Sequence, residues 1–269
     1  MDYLHGYDAS EQERLIEQAK AYAPLIYEKI EWGAQEELKI LEIGSGVGAQ
    51  SLELLKRFPK IKLTCIEISE QQIKKAQKIL KDKNLLNRVE LIQANAEKLP
   101  LAEESFDGVF LCFVLEHLQN PKKVLDEAFR VMKPRAPIYC TEVFNSNFFM
   151  NPYSPATLQY CYHFNDHQWN LGGNPFSGAF LRTQLKDSGF SNIQVDFKNF
   201  LFDKVNPKSR NVFMKEFLAL LLSAQDELLK KKIVSSELVE EMKKEWNKAL
   251  IDDEAILFFN LVQSHAIAL

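Results

Sequence analysis

Apolar positions along the first half of the chain fall into two alternating rhythms. Leu15, Ile16, Ala19, Tyr22, Ala23, Ile26, Tyr27 and Ile30 return every three or four residues, the period of a helix with one buried face. Ser10 and Glu13 offer a capping box at its start, Pro24 predicts a kink or split, and Gly33 an end. The run "LKILEI" (38–43) fits a buried strand, and 48–58 then carries Ala49, Leu52 and Leu55 on one helical face before Pro59 stops it. "IKLTCIE" (61–67) reads as a second strand, followed by a helix that turns Ile73, Ala76 and Ile79 toward a sheet. "RVELIQAN" (88–95), "FDGVFLCFV" (106–114) and "APIYCTEVF" (136–144) read as three more strands. A helix precedes the last of them, with Pro121 at its start and Val124, Leu125, Ala128, Phe129 and Met132 on its inner side. Strands alternating with helices predict a mostly parallel sheet covered on both faces.

The rhythm breaks after residue 144. Residues 145–178 are rich in Asn, Pro, Gly and aromatics and show no clean period, so an irregular insertion is expected there. A helix over 178–188 ends at Gly189, and an alternating strand follows with Ile193, Val195 and Phe197. Residues 209–250 read as two amphipathic helices broken near "KKKIVSS", and "AILFFNLVQSHAIAL" (255–269) as a final strand. The expectation is one α/β domain: a helical N-terminal flap (1–35), a core (36–144), an aromatic lid (145–180), and a remainder (181–269) with helices inserted at 209–250.

Composition narrows the function classes. An apolar content of 46% and a charged content of 26% are ordinary for a globular chain with a sizeable core. A net charge of −4 lacks the basic footprint of a nucleic-acid binder, and no apolar run approaches bilayer length. The polar, acidic start is unlike a secretory signal. Cys65, Cys112, Cys140 and Cys161 have no paired spacing, and unpaired buried thiols fit a reducing compartment. A cytoplasmic monomer or homodimer acting on a small molecule, without nucleic-acid or membrane partners, is expected.

The chemistry concentrates where the first strand meets "GSGVGA" (44–49). A glycine-rich turn there brings the backbone close to a ligand and aims helix N–H groups at it. Gly44, Gly46 and Ala49 fit the dinucleotide pattern G-x-G-x-x-G/A. Glu42, Gly44, Gly46 and Gly48 fit E-x-G-x-G-x-G, the pattern for S-adenosylmethionine. Glu42 favours the second parse, because a carboxylate would repel a pyrophosphate but accept from an ammonium. Glu67, ending the second strand, is placed to accept both ribose hydroxyls in either class.

"LEIGSGVG", "IEISEQQIKKA" and "ANAEKLPLAEESFDGVFLCFVLEHLQNPKKVLDEAFRVMKP" together resemble the ordered motifs of class I S-adenosylmethionine-dependent methyltransferases. The resemblance is to the small-molecule group that includes quinone-ring and polyketide methyltransferases, and it spans roughly 38–143. It implies a Rossmann-like sheet, mostly parallel with the last strand antiparallel, and S-adenosylmethionine as cofactor. It also implies cofactor contacts from Glu42, Gly44, Ser45, Gly46 and Gly48, the ribose acid Glu67, Ile68 against adenine, and Gln72 nearby. Asn95, Ala96 and Glu97 match the adenine segment, where Asn95 replaces the usual Asp and keeps an accepting oxygen. Cys112, Phe113, Val114 and His117 match the sulfonium side. The N-terminal segment resembles a flap over the cleft, implicating Tyr3, His5 and Gln18.

In-line methyl transfer depends mainly on orientation, and a base is needed only where the acceptor must lose a proton. His117, His163, His167 and Tyr160 are the candidates for that role. "HFNDH" (163–167) is a weak metal signal without a recognised context, and no metal is expected. "NPYS" (151–154) follows the fifth strand rather than the fourth and reads as a turn. The aromatics of 144–180 suggest a wall over an apolar or aromatic acceptor. A protein or RNA methyltransferase and a non-catalytic cofactor-binding module are the rival readings.

Overall fold

The computed structural model describes residues 9–32 and 37–269. α1 (Ala9–Ile26) leads into β1 (Lys39–Ile43), α2 (Ala49–Arg57), β2 (Lys62–Glu67), α3 (Glu70–Asp82), β3 (Val89–Gln93), β4 (Gly108–Cys112), α4 (Pro121–Val131) and β5 (Pro137–Val143). These strands pair in parallel in the order β3-β2-β1-β4-β5. The predicted alternation holds, with several strands shorter at their ends than expected.

Pro24 does not split α1: it lies in the last turn, two residues before the end at Ile26, so the lost bond to the Lys20 carbonyl coincides with the helix's end rather than its middle. Tyr27 and Ile30 are buried but lie beyond the helix. The side chain of Ser10, Gly33 as a stop, and Tyr3 and His5 lie outside the described residues.

The insertion is more regular than the sequence suggests. It holds a short strand, β6 (Phe149–Asn151), and a full helix, α5 (Pro155–Asn170). α5 escapes periodicity because its buried side mixes Tyr160 and Phe164 with Thr157, Asn165, His167 and Gln168. Its N-terminus is capped from a distance: Glu245 accepts the N–H groups of Ala156 and Thr157 at 3.0 and 2.8 Å. Glu245 belongs to α9 (Ser236–Ile251), a pairing that no local pattern announces.

α6 (Leu181–Asp187) and β7 (Ser191–Phe202) follow as expected. Residues 207–251 form three helices rather than two: α7 (Pro207–Ser223), α8 (Gln225–Lys230) and α9 (Ser236–Ile251). β8 (Ile256–Ile267) closes the chain antiparallel to β5, with β7 antiparallel on its other edge. β6 pairs with Ile256–Phe258 of β8, extending the line of β5.

The two faces of the sheet bury separate cores. Ile40, Leu63, Cys65 and Phe110 meet α1, α2, α7 and α9 on one side. Leu41, Ile43, Leu111 and Cys140 meet α4 and α6 on the other. The alternation along β1 therefore directs every second residue toward α2, which decides the fate of Glu42.

Candidate ligand site

The site begins where β1 runs out into the glycine turn. Gly44, Gly46 and Gly48 all have positive φ, at 73°, 51° and 76°. At Gly44 a Cβ would come within 2.5 Å of Val114 Cγ2, so the turn is pressed against the loop that follows β4. At Gly46 a Cβ would meet nothing within 4 Å, because this residue borders a cavity of about 270 Å³. The cavity lies at the carboxyl ends of β1, β2 and β4, where open α/β sheets take ligands.

Glu67 is fixed at the mouth of β2. Its Oε2 accepts the N–H of Gly46 at 2.9 Å and its Oε1 the N–H of Ser69 at 2.9 Å. Each oxygen keeps further accepting capacity for a hydroxyl. Ile68, 62% exposed, lines the same cavity, as do Ser45, Gln72, Asn95 and Ala96. An exposed isoleucine at a cavity rim offers a flat apolar contact for a ring.

The opposite wall is the loop after β4. Phe113 stands at φ 59°, and its successors are held by one buried carboxylate. Glu142 of β5 accepts the N–H groups of Val114, Leu115 and Glu116 at 3.0, 2.8 and 3.0 Å. Burial, with Glu116 close by, pushes the Glu142 carboxyl well above the usual carboxylate range. Glu116 in turn accepts from Gln168 Nε2 at 2.9 Å, and His117 Nε2 lies 3.7 Å from its other oxygen. Cys112, Phe113, Val114, Glu116 and His117 all line the cavity. Burial drives the Cys112 thiol well up, so it faces the ligand as a neutral group.

The roof comes from distant chain segments: Arg14, Leu15 and Gln18 of α1 and Leu220 of α7. A smaller cavity of about 50 Å³ adjoins the first and shares Gln18, Phe113, Val143, Asn145, Phe164 and Leu220 with it. Its deeper walls include Phe148, Phe217 and Phe259, and none of its described lining residues is Asp, Glu, Lys, Arg or His.

Several sequence expectations require correction. Glu42 does not line the cavity; it is 2% exposed and its carboxyl accepts from Ser51 Oγ at 2.5 Å and Cys65 Sγ at 3.4 Å. Its place opposite Cys65 in the strand register points it toward α2 rather than out of the strand end. Burial raises its carboxyl to about 7. Gly48 caps α2 against Ala76 instead of touching the cavity. Asn95, by contrast, does line the cavity; its Oδ1 accepts the N–H of Glu97 at 2.9 Å and keeps a second lone pair for a ligand donor. Glu97 pairs with Lys123 at 3.3 Å, outside the lining.

The proposed bases also separate. His117 is at the site, but Tyr160 is fully buried and donates to the Leu221 carbonyl at 2.9 Å. His167 pairs with Glu227 of α8 at 2.9 Å, and His163 is not in the lining. Among the described residues no group of three or more His, Cys, Asp and Glu side chains is arranged to hold a metal ion. Of the aromatic wall, Phe144, Phe148 and Phe164 face inward, whereas Phe149, Tyr153, Tyr162, Trp169 and Phe180 are exposed. Arg14, Glu116, Asn145, Gln168 and Leu220 were not foreseen as lining residues. Only Glu116, inside "LEHL", carries a local signal.

Comparison with known proteins bears on the family and the fold. Residues 41–140 match the family described as "Methyltransferase domain". The ubiquinone/menaquinone biosynthesis C-methyltransferase UbiE of Rickettsia prowazekii (strain Madrid E) is 36% identical over 107 residues, covering 38% of this chain and 43% of that one. The chain thus spans under half the length of the curated relatives it matches. Among solved structures, a Haemonchus contortus phosphoethanolamine N-methyltransferase 2, in complex with S-adenosylhomocysteine, superposes with a TM-score of 0.59 at 15% identity, covering 95% of this chain and 57% of that one. The [4+2]-cyclase SpnF superposes with a TM-score of 0.54 at 19% identity, over 89% of this chain and 79% of the other.

Proposed function

We infer that this chain, a class I S-adenosylmethionine-dependent methyltransferase by its fold and by the domain match over residues 41–140, transfers a methyl group to a small, apolar or aromatic acceptor. The observation that carries the reading is the continuity of two unlike cavities. One is lined by the glycine turn, Glu67 and Ile68; the other is aromatic and uncharged, and Phe113, Val143, Asn145 and Phe164 border both.

The residues present suit the cofactor. Gly46 leaves open a place that any side chain would fill. Glu67 has two fixed oxygens for ribose hydroxyls, and Ile68 and Ala96 offer apolar contacts to adenine. Arg14 also lines the cavity, with its Nε and Nη2 paired to Glu11 at 2.7 Å, so an amino-acid carboxylate would share that guanidinium with Glu11. When bound, S-adenosylmethionine supplies an electrophilic methyl group on a sulfonium, transferred by in-line displacement. The chain's own contribution is to orient and to exclude water: the loop held by Glu142 forms one wall, and α1 and α7 cover the cleft. His117, beside Glu116, is the lining side chain able to take a proton where the acceptor must lose one. The name of the UbiE relatives, C-methyltransferases of quinone biosynthesis, is consistent with an apolar ring acceptor.

Calorimetry with S-adenosylhomocysteine and NAD⁺ tests this. The former is expected to bind and the latter not; the reverse would overturn the reading. A [4+2]-cyclase shares this fold, so the fold alone does not entail methyl transfer, and the second reading is a module that binds cofactor without transferring methyl. Release of S-adenosylhomocysteine in the presence of apolar acceptors separates the two.

A further inference from the structure

The inner cavity is mostly apolar, with the Tyr22 hydroxyl, the Cys161 thiol and several amides as the polar groups of its wall. Asn165 of α5 and Asn260 of β8 line it, and they are 7% and 8% exposed. In each, the oxygen is already engaged. Asn145 Nδ2 donates to Asn165 Oδ1 at 3.0 Å, and Asn147 Nδ2 reaches Asn260 Oδ1 at 3.5 Å. Those bonds orient the two side chains, because an amide whose oxygen is taken turns its NH₂ the other way. Neither NH₂ group donates to another described residue, and neither nitrogen is sealed off from open space. Both sit beside an aromatic wall formed by Phe148, Phe164, Phe217 and Phe259.

We propose that Asn165 and Asn260 read the acceptor: its inner end is uncharged, flat and apolar, and carries a carbonyl, ether or hydroxyl oxygen that accepts from their amide NH₂ groups. The assignment rests on the function proposed above, whose acceptor it defines. An acceptor bearing carboxylate, phosphate or ammonium at that end would lose its hydration to a chamber with no opposite charge to offer. A plain hydrocarbon would enter but leave both NH₂ groups without partners. The chamber's 50 Å³ takes only the leading group of such a molecule, whose remainder extends into the larger cavity toward the cofactor place.

The test uses the full chain saturated with S-adenosylhomocysteine and three probes of similar size: acetophenone, toluene and benzoate, titrated by NMR. Acetophenone is expected to bind about fivefold more tightly than toluene, the scale of one net hydrogen bond, and benzoate more weakly than both. In Asn165→Leu and Asn260→Leu the acetophenone-to-toluene ratio should fall by about fivefold, while S-adenosylhomocysteine affinity stays unchanged and reports an intact fold. The ratio is internal to each variant, so a general loss of packing does not imitate the result. Equal binding of acetophenone and toluene, tightest binding of benzoate, no binding of any probe, or an unchanged ratio in both variants would each overturn the assignment. Those outcomes leave the cofactor reading standing. Absence of S-adenosylhomocysteine binding removes both.

Discussion

Glu67 and Glu42 are both glutamates near the ends of adjacent strands, yet they meet opposite environments. Glu67 lies at the cavity with each oxygen held by a backbone N–H, and its replacement by Ala removes a fixed, charge-assisted pair of acceptors. Calorimetry should show S-adenosylmethionine binding weakened by about 1.5–3 kcal/mol; unchanged affinity would remove Glu67 from the ribose site. Glu42 is enclosed beneath the turn, and burial lifts its carboxyl from the usual carboxylate range to about 7. A group whose folded value is raised binds its proton more tightly when folded. Its stabilising contribution is therefore complete below about 4.5 and lost as pH rises through about 7. Denaturant titrations between these limits should show stability falling with pH by at most about 1.4 kcal/mol per unit from this group. Glu42→Gln should flatten that slope; an unaltered slope would show that Glu42 folds in without its proton.

At the scale of elements, α5 is where pattern reading and packing diverge. The helix is held by groups at long range: Glu245 at its N-terminus, the Leu221 carbonyl beneath Tyr160, and Glu227 beside His167. Tyr160→Phe should lower stability by about 1 kcal/mol, the net value of one hydrogen bond, while calorimetric cofactor affinity stays the same. A large loss of cofactor binding or turnover without loss of stability would return Tyr160 to the candidates for a catalytic role. The helices and strands of residues 39–143 were legible because each buries a clean apolar face in a sheet covered on both sides. α5 was not, because four of its seven buried positions are polar and bond to partners 20 or more residues away.

Across the whole molecule the cavity joins three regions of the chain: the roof from α1, the strand ends of the parallel sheet, and the wall contributed by α5 and α7. A ligand held between them stabilises the native state by linkage, about 2.7 kcal/mol at a hundredfold excess over Kd. Thermal unfolding with S-adenosylhomocysteine should therefore move upward by roughly 5–10 °C for a chain of this size. No shift at saturating ligand would indicate that roof and sheet do not close on it together.

The sequence by itself determined the parallel sheet, the glycine turn and the carboxylate at the end of β2. These rest on local rules: a two-residue period, a backbone that needs positive φ, and a residue at a strand's end. Only the tertiary structure decided which way Glu42 points, since that depends on the face of β1 that α2 covers. It likewise decided that Tyr160 and His167 support α5 rather than meet a ligand, and that Asn165 and Asn260 share one chamber. Those outcomes turn on contacts between segments far apart in the chain, for which adjacent residues carry no signal.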